Sequence, residues 1–279
     1  MAIVPETLTR RSFLLTAGTG ALATSSALAV PFYARRHGSP SFSHGVQSGD
    51  VDCASGVVWA RTDRPSEVLL EYSTTESFAD VARMPLLNAT GACDHTVKAL
   101  LRDLLPDQDI FYRFMASDPY SSHLVSEPIV GRFRTAPMRD RSVRFVWSGD
   151  TAGQGRGIDD VGMKTYSTML RHEPDFFIHS GDTIYADGPI PDEITLRDGG
   201  VWKNRIVTDE KRDVARTLDE FRGQWKYNLL DDHLLAFNSQ CPTFFQWDDH
   251  EVLNNWSASS DLTGDRRYPD KDIHVYEAR

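Results

Sequence analysis

The sequence predicts two domains, a small all-β sandwich over residues 41–137 followed by an α/β (α+β) domain over residues 141–279. Short apolar runs separated by turn residues fill the first part, without a convincing helical pattern. In the second part, apolar runs alternate with segments of helical periodicity. Three of these later runs are followed directly by carboxylates, which places a candidate site in the second domain. A chain of 279 residues with 40% hydrophobic residues can bury two cores of this size.

Residues 1–29 are expected to act as a leader and not as part of the fold. Arg10 and Arg11 precede a weakly apolar stretch that contains glycines and ends in Ala27-Leu28-Ala29. This pattern is typical of a twin-arginine signal peptide. It predicts delivery by the twin-arginine export machinery to the periplasm or the extracellular space. A chance arginine pair is the alternative reading.

The predicted strands of the sandwich are short and apolar. They are Gly56–Arg61, Val68–Tyr72, Asp109–Phe114 and Val130–Arg134. Leu105-Pro106 followed by Tyr112 resembles the E–F corner of fibronectin-like sandwiches, so Tyr112 is assigned an architectural role. Residues 135–140 form the predicted linker to the next domain.

The second domain is predicted to contain a largely parallel sheet. The predicted elements are a buried strand at Val143–Trp147, a helix ending before Glu173-Pro174, a strand at Phe176–Ile178, one long helix over residues 209–235 and a strand at Thr243–Phe245. Alternating strands and helices favour βαβ units, in which ligands bind beyond the carboxyl ends of the strands.

The composition limits the classes of partner. A net charge of −10 argues against a nucleic-acid-binding groove, which needs a basic stripe. Phosphate esters remain compatible with it, because bound cations invert the local field. No apolar run beyond the N-terminus is long enough to predict a transmembrane helix.

The three cysteines leave one question open. Cys53 and Cys93 lie in the same predicted domain and are able to pair after export, or to remain as buried thiols. Cys241, beside a proline, is interpreted as an inert buried thiol.

Each acidic segment carries ligands suited to metal ions. Asp150 follows a strand and a glycine, Asp182 and Tyr185 share one loop, and Asp249 with His250 follows the third strand. Carboxylates bind hard cations, and a metal ion lowers the pKa of a phenol enough to make tyrosinate a ligand for ferric iron. The segments therefore predict a site that holds more than one metal.

Each signal also has a structural explanation. A Gly-Asp step is common at turns and helix starts, and Asp187 before Gly188-Pro189 fits a turn. His179 is more often a hydrogen-bonded buried histidine than a ligand. Jointly, three acidic strand ends favour a metal site, because crowded negative charges cost free energy unless cations neutralise them.

Four segments carry a resemblance to a known family. They are Phe42–Asp50, Val57–Arg61, Pro174–Asp187 and Gln246–Glu251. With these segments the sequence resembles the alkaline phosphatase D (PhoD-type) family of exported metallophosphoesterases, from the leader to about Trp256. The resemblance implies hydrolysis of phosphate monoesters and diesters, with ferric iron and calcium as cofactors.

The resemblance also implies roles for individual residues. Asp182 would be the shared metal ligand and Tyr185 the iron-binding phenolate, while Asp249 and His250 would be catalytic residues and metal ligands. Some members of the family have a cysteine ligand in the loop of Asp150, where this chain reads Ser148-Gly149-Asp150. The metal at this position is therefore left open.

The family pattern continues beyond Arg279, so the metallophosphoesterase-like domain is expected to be incomplete and its sheet to expose apolar surface. A truncated, inactive remnant that binds cations weakly is the alternative from another class. A phospholipase D-like phosphodiesterase acting on phospholipid or polymer head groups is the third hypothesis.

Overall fold

The computed structural model describes residues 38–277. The predicted twin-arginine leader lies outside this range. Among the described residues, no helix has both the length and the apolar character needed to cross a membrane.

Fourteen strands and four short helices make up the described part of the chain. The strands are β1 Val46–Gly49, β2 Gly56–Arg61, β3 Ser66–Ser73, β4 Ala82–Arg83, β5 Leu87–Ala89, β6 Thr96–Leu101, β7 Asp109–Asp118, β8 Ser121–Val125, β9 Ile129–Arg134, β10 Phe145–Ser148, β11 Phe176–His179, β12 Glu193–Thr195, β13 Val201–Lys203 and β14 Thr243–Phe245. The helices are α1 Lys164–Leu170, α2 Leu218–Asn228, α3 Asp232–Asn238 and α4 His274–Glu277. Single turns occur at Gly91–Cys93, Ala152–Gly155 and Asp209–Lys211.

The first part of the chain is a sandwich of two antiparallel sheets. Strands β1, β2 and β6 form one layer, and strands β3, β4, β5, β7, β8 and β9 form the other. Alternate side chains of both layers meet in one core that includes Val58, Leu70, Phe114 and Phe133. Tyr112 is fully buried in this core, as its architectural role requires.

Two partly exposed arginines pair with the buried Glu71 across the second layer of the sandwich. Glu71 lies directly opposite Arg83 on β4 and Arg113 on β7. Each arginine approaches a different carboxylate oxygen of Glu71, at 2.6 Å in both cases. Burial alone would raise the pKa of Glu71, but the hydrogen bonds from Arg83 and Arg113 outweigh it and lower the pKa.

We expect Glu71→Gln to destabilise the protein by about 2 kcal/mol at neutral pH, because the amide nitrogen cannot accept the two hydrogen bonds from one arginine and the other two lose their charge assistance. The folded pKa of Glu71 is lowered, so its stabilising effect is complete above the ordinary value of 4.5 and disappears as the pH falls through the folded value. Urea unfolding at neutral and acidic pH measures the difference. Exposed Glu76→Gln is the control. A difference that stays constant with pH would refute this account of Glu71.

One sheet connects the sandwich to the rest of the chain. Its strand order is β10-β11-β14-β1-β2-β6. The junction is the parallel pair of β1 and β14, where Gly49 lies opposite Thr243. A Cβ atom on Gly49 would come within 2.8 Å of the Thr243 carbonyl oxygen, so the close approach requires glycine. The predicted domains are therefore joined by backbone hydrogen bonding.

Strands β10, β11 and β14 run parallel, as the alternating pattern predicts. Helices α1 and α3 cover one face of this part of the sheet. The packed residues there include Tyr166, Met169, Phe177, Leu234 and Phe237.

The prediction of a buried strand at Val143–Trp147 is wrong. The strand is Phe145–Ser148, and the side chains of Phe145 and Trp147 are 54% and 70% exposed. Strand β10 is an edge strand of the sheet, and Phe145 only stacks on Phe176 of the neighbouring strand. An apolar groove of about 540 Å³ runs along the face of the sheet that carries Phe176 and Ile178. This face of the sheet therefore exposes apolar surface.

The prediction of one helix over residues 209–235 is also wrong. A single turn at Asp209–Lys211 is followed by two helices, α2 and α3. Thr217 starts α2 with a capping box, in which Thr217 Oγ1 accepts from the Glu220 amide and Glu220 accepts from the Thr217 amide. Asp231 starts α3 by accepting from the Leu234 amide. These caps interrupt an apolar spacing that is continuous in the sequence.

The cysteines are all free thiols in the structure. Cys241 is buried, and burial raises the pKa of its thiol to about 12, in agreement with the inert interpretation. Cys53 and Cys93 are partly exposed and are not bridged.

Candidate metal centre

The three acidic loops meet at one edge of the sheet because the parallel strands β10, β11 and β14 all end there. Gly149 directly follows β10 and Gly181 lies two residues beyond the end of β11. Asp150 and Asp182 come next, with left-handed backbones at φ of 55° and 54°. The Asp150 amide donates to the Gly181 carbonyl at 3.1 Å. This backbone link holds the first two loops together.

Asp182, Asp249 and His250 form the centre of the site. One ligand atom of each lies within 4.8 Å of the others. Asp182 is buried, whereas Asp249 and His250 are half-buried. Burial raises the pKa of Asp182 to about 6, against the opposing effect of nearby His250, and the negative charge of Asp249 adds to the rise. The carboxylates therefore repel one another, and a bound cation would reverse this effect.

Tyr185 and Asp150 lie on one side of this cluster. The Tyr185 hydroxyl donates a short hydrogen bond to Asp150. Its ring lies against the imidazole of His250, with 4.4 Å between the ring centroids. Burial and the neighbouring carboxylates of Asp150 and Asp182 raise the pKa of Tyr185. A cation would have to displace this proton before the phenolate could bind it.

Asp187 positions His250. The imidazole Nδ1 and Asp187 Oδ1 are 2.6 Å apart. The other carboxylate oxygen accepts from the Asn254 amide at 2.8 Å and from the Tyr268 hydroxyl at 2.9 Å. With Nδ1 engaged by Asp187, the Nε2 atom of His250 remains to face a ligand.

Glu251 holds the loops in place through their backbone amides. It is buried, and Oε1 accepts from Thr183 at 2.6 Å and from Ile184 at 3.4 Å. Oε2 accepts from Asp182 at 3.2 Å and from Asp248 at 3.0 Å. One carboxylate thus binds four N–H groups from two of the three acidic segments.

Two buried side chains support the loop that carries Tyr185. Lys211 Nζ donates to the Tyr185 carbonyl at 3.0 Å, and Asn228 Nδ2 donates to the Thr183 carbonyl at 2.6 Å. Burial lowers the pKa of Lys211 to about 8. These two hydrogen bonds hold the backbone of this loop to α2 and to the turn Asp209–Lys211, which precedes α2.

The structure brings together all five predicted site residues: Asp150, Asp182, Tyr185, Asp249 and His250. His179 is buried, and its two ring nitrogens are within hydrogen-bonding distance of Thr151 and Thr183. It is therefore a hydrogen-bonded buried histidine, as the structural explanation predicts. The sequence reasoning missed the positioning role of Asp187 and the anchoring role of Glu251. It gave no signal for Tyr268, which lies 81 residues from Asp187 along the chain.

The donor set fits metal ions. Two carboxylates and an imidazole within one ligand sphere suit a divalent or trivalent cation, which would offset both the burial that raises the pKa of Asp182 and the nearby negative charge of Asp249. A phenol hydrogen-bonded to a fourth residue, Asp150, offers further oxygen ligands nearby.

Comparisons with known proteins identify the family of this chain. The family model for PhoD-like phosphatase matches residues 145–279, and the model for its N-terminal domain matches residues 24–137. This chain belongs to the PhoD-like phosphatase family. The resemblance seen in the sequence is therefore confirmed.

Individual relatives extend beyond this chain. Alkaline phosphatase D of Bacillus subtilis (strain 168) is 27% identical over 227 residues, which cover 77% of this chain and 36% of the relative. The solved structure of PhoD superposes with a TM-score of 0.67 at 24% identity, covering 87% of this chain and 44% of that chain. The chain thus spans less than half the length of these two relatives. The match supports the PhoD-like fold of a β-rich sandwich followed by an α/β domain.

Proposed function

We propose that the protein hydrolyses phosphate monoesters and diesters with the help of bound metal ions. The observation that carries this proposal is the convergence of Asp182, Asp249 and His250 within 4.8 Å at the carboxyl ends of parallel strands. The family and its alkaline phosphatase D relative support the same chemistry.

The residues of the site have distinct roles in this proposal. Asp182 and Asp249 would hold the metal ions, which would supply neutralisation of the phosphoryl charge and activation of water. His250, oriented by Asp187, faces the phosphoryl group and stabilises charge that develops on its oxygens. Glu251 keeps the ligand loops at fixed positions through their amides.

Ferric iron and calcium are the proposed cofactors. Tyr185 would supply a phenolate to iron after its proton is displaced, and Asp150 lies one hydrogen bond away as a further carboxylate. Calcium suits the oxygen donors of the aspartates.

Export through the twin-arginine machinery to the periplasm or extracellular space is proposed from the leader sequence, which lies outside the described residues. A fibronectin-like sandwich is proposed from the arrangement of β1, β2 and β6 against β3 and β7, and from buried Tyr112.

A metal-binding but inactive protein is the second candidate, and the exposed apolar sheet face favours it. Phe145 and Trp147 lie on that face. We expect hydrolysis of an aryl phosphate and a bis-aryl phosphate by purified protein, measured together with bound metal by elemental analysis. Bound metal without any release of the aryl alcohol would favour the inactive candidate.

A further inference from the structure

A glycine-rich loop separates the metal centre from an aromatic side chain on the hairpin β12–β13. The loop reads Gly153-Gln154-Gly155-Arg156-Gly157. A Cβ atom on Gly155 would come within 2.6 Å of the Tyr185 ring, and one on Gly153 within 3.0 Å of the Trp202 ring. The backbone of this loop is therefore in close contact with Tyr185 on one side and Trp202 on the other.

Hydrogen bonds fix the position of the Trp202 ring. Its Nε1 donates to Asn204 Oδ1 at 2.9 Å. Asn204 Nδ2 in turn donates to the carbonyl of Arg156 at 2.8 Å and to that of Pro191 at 2.7 Å. The indole is thus held against the loop before any ligand binds, which lowers the entropic cost of using it in recognition.

A cavity of about 390 Å³ shares one residue, Asp150, with the candidate site and extends to Trp202. Asp150 lines one side of it, and Trp202 and the apolar residues Ile158, Met163 and Met169 line others. The volume is within the range of small-molecule sites. Thioethers and an indole form favourable contacts with aromatic groups.

We propose that this cavity binds the organic group of the ester and that Trp202 selects aromatic groups by stacking. This inference rests on the proposed function, since it assumes that the phosphoryl group lies at the metal centre beside Asp150. Trp202 is then a residue that determines specificity and does not take part in bond cleavage.

Equilibrium binding of two phosphonates tests the inference without requiring turnover. Calorimetry compares naphthylmethylphosphonate with methylphosphonate on the full chain, with calcium and ferric iron supplied. We expect the naphthyl compound to bind about tenfold more tightly, and Trp202→Ala to remove most of this preference while leaving methylphosphonate binding unchanged. Trp202→Phe should retain most of the preference, because it keeps an aromatic face.

Trp225→Ala is the matched control, because Trp225 is a partly exposed tryptophan that lines a different cavity. Circular dichroism and the melting temperature show whether Trp202→Ala remains folded. If it does not, Trp202→Phe is tested in its place and should retain most of the preference for the naphthyl compound. Equal binding of the two phosphonates, equal weakening of both by the substitution, or binding of neither would overturn the inference. Absence of ester hydrolysis by the wild-type protein would contradict the proposed function and leave the binding comparison intact.

Discussion

Asp182→Asn is expected to lower phosphate-ester hydrolysis by about 10³-fold, because the loss of a metal ligand removes several kcal/mol of transition-state stabilisation. The fold should survive. Asparagine tolerates the left-handed backbone that Asp182 adopts and can still accept from the His250 amide. The measurement is the rate of aryl phosphate hydrolysis together with the melting temperature.

The pKa of Asp182 adds a second expectation for the same variant. Because this pKa is raised to about 6, the ionised side chain destabilises the metal-free protein above that pH. Asp182→Asn should therefore raise the melting temperature of metal-free protein at alkaline pH while activity is lost. Exposed Asp80→Asn is the control and should change neither quantity. Unchanged hydrolysis by Asp182→Asn would refute its assignment as a metal ligand.

Glu251→Ala is expected to destabilise the protein by about 3 kcal/mol and to lower activity, although Glu251 is given no ligand role. The substitution leaves four backbone amides without their acceptor. Urea unfolding of the metal-free protein provides the measurement.

Glu251→Gln should have an intermediate effect, because one carbonyl oxygen can still accept from the Thr183 and Ile184 amides. Exposed Glu127→Ala serves as the control. A stability of Glu251→Ala equal to that of the control would show that the amide contacts do not hold the loops.

The sequence was sufficient to predict the parallel strands and the acidic loops that follow them. Strand ends such as Gly181-Asp182 carry a local signal, since a glycine turn and a carboxylate follow an apolar run. Helix ends were harder to predict. The apolar spacing from Val214 to Leu229 suggests one helix. In the structure Thr217 and Asp231 cap the N-termini of two separate helices, and these caps form only in the folded chain.

Long-range contacts account for the rest of what the sequence did not predict. Tyr268 reaches Asp187, and Trp202 reaches the glycine loop near residue 153, although neither pair has a characteristic spacing. The exposure of Trp147 likewise depends on which segments cover the sheet, and not on the apolar character of the strand.

Elemental analysis of purified, folded protein, combined with its melting temperature before and after chelation, tests the central claim most directly. The crowded carboxylates around Asp182 predict bound divalent or trivalent ions and a clear fall in melting temperature when a chelator removes them. Folded protein that contains no metal and melts at the same temperature with and without chelator would contradict the account.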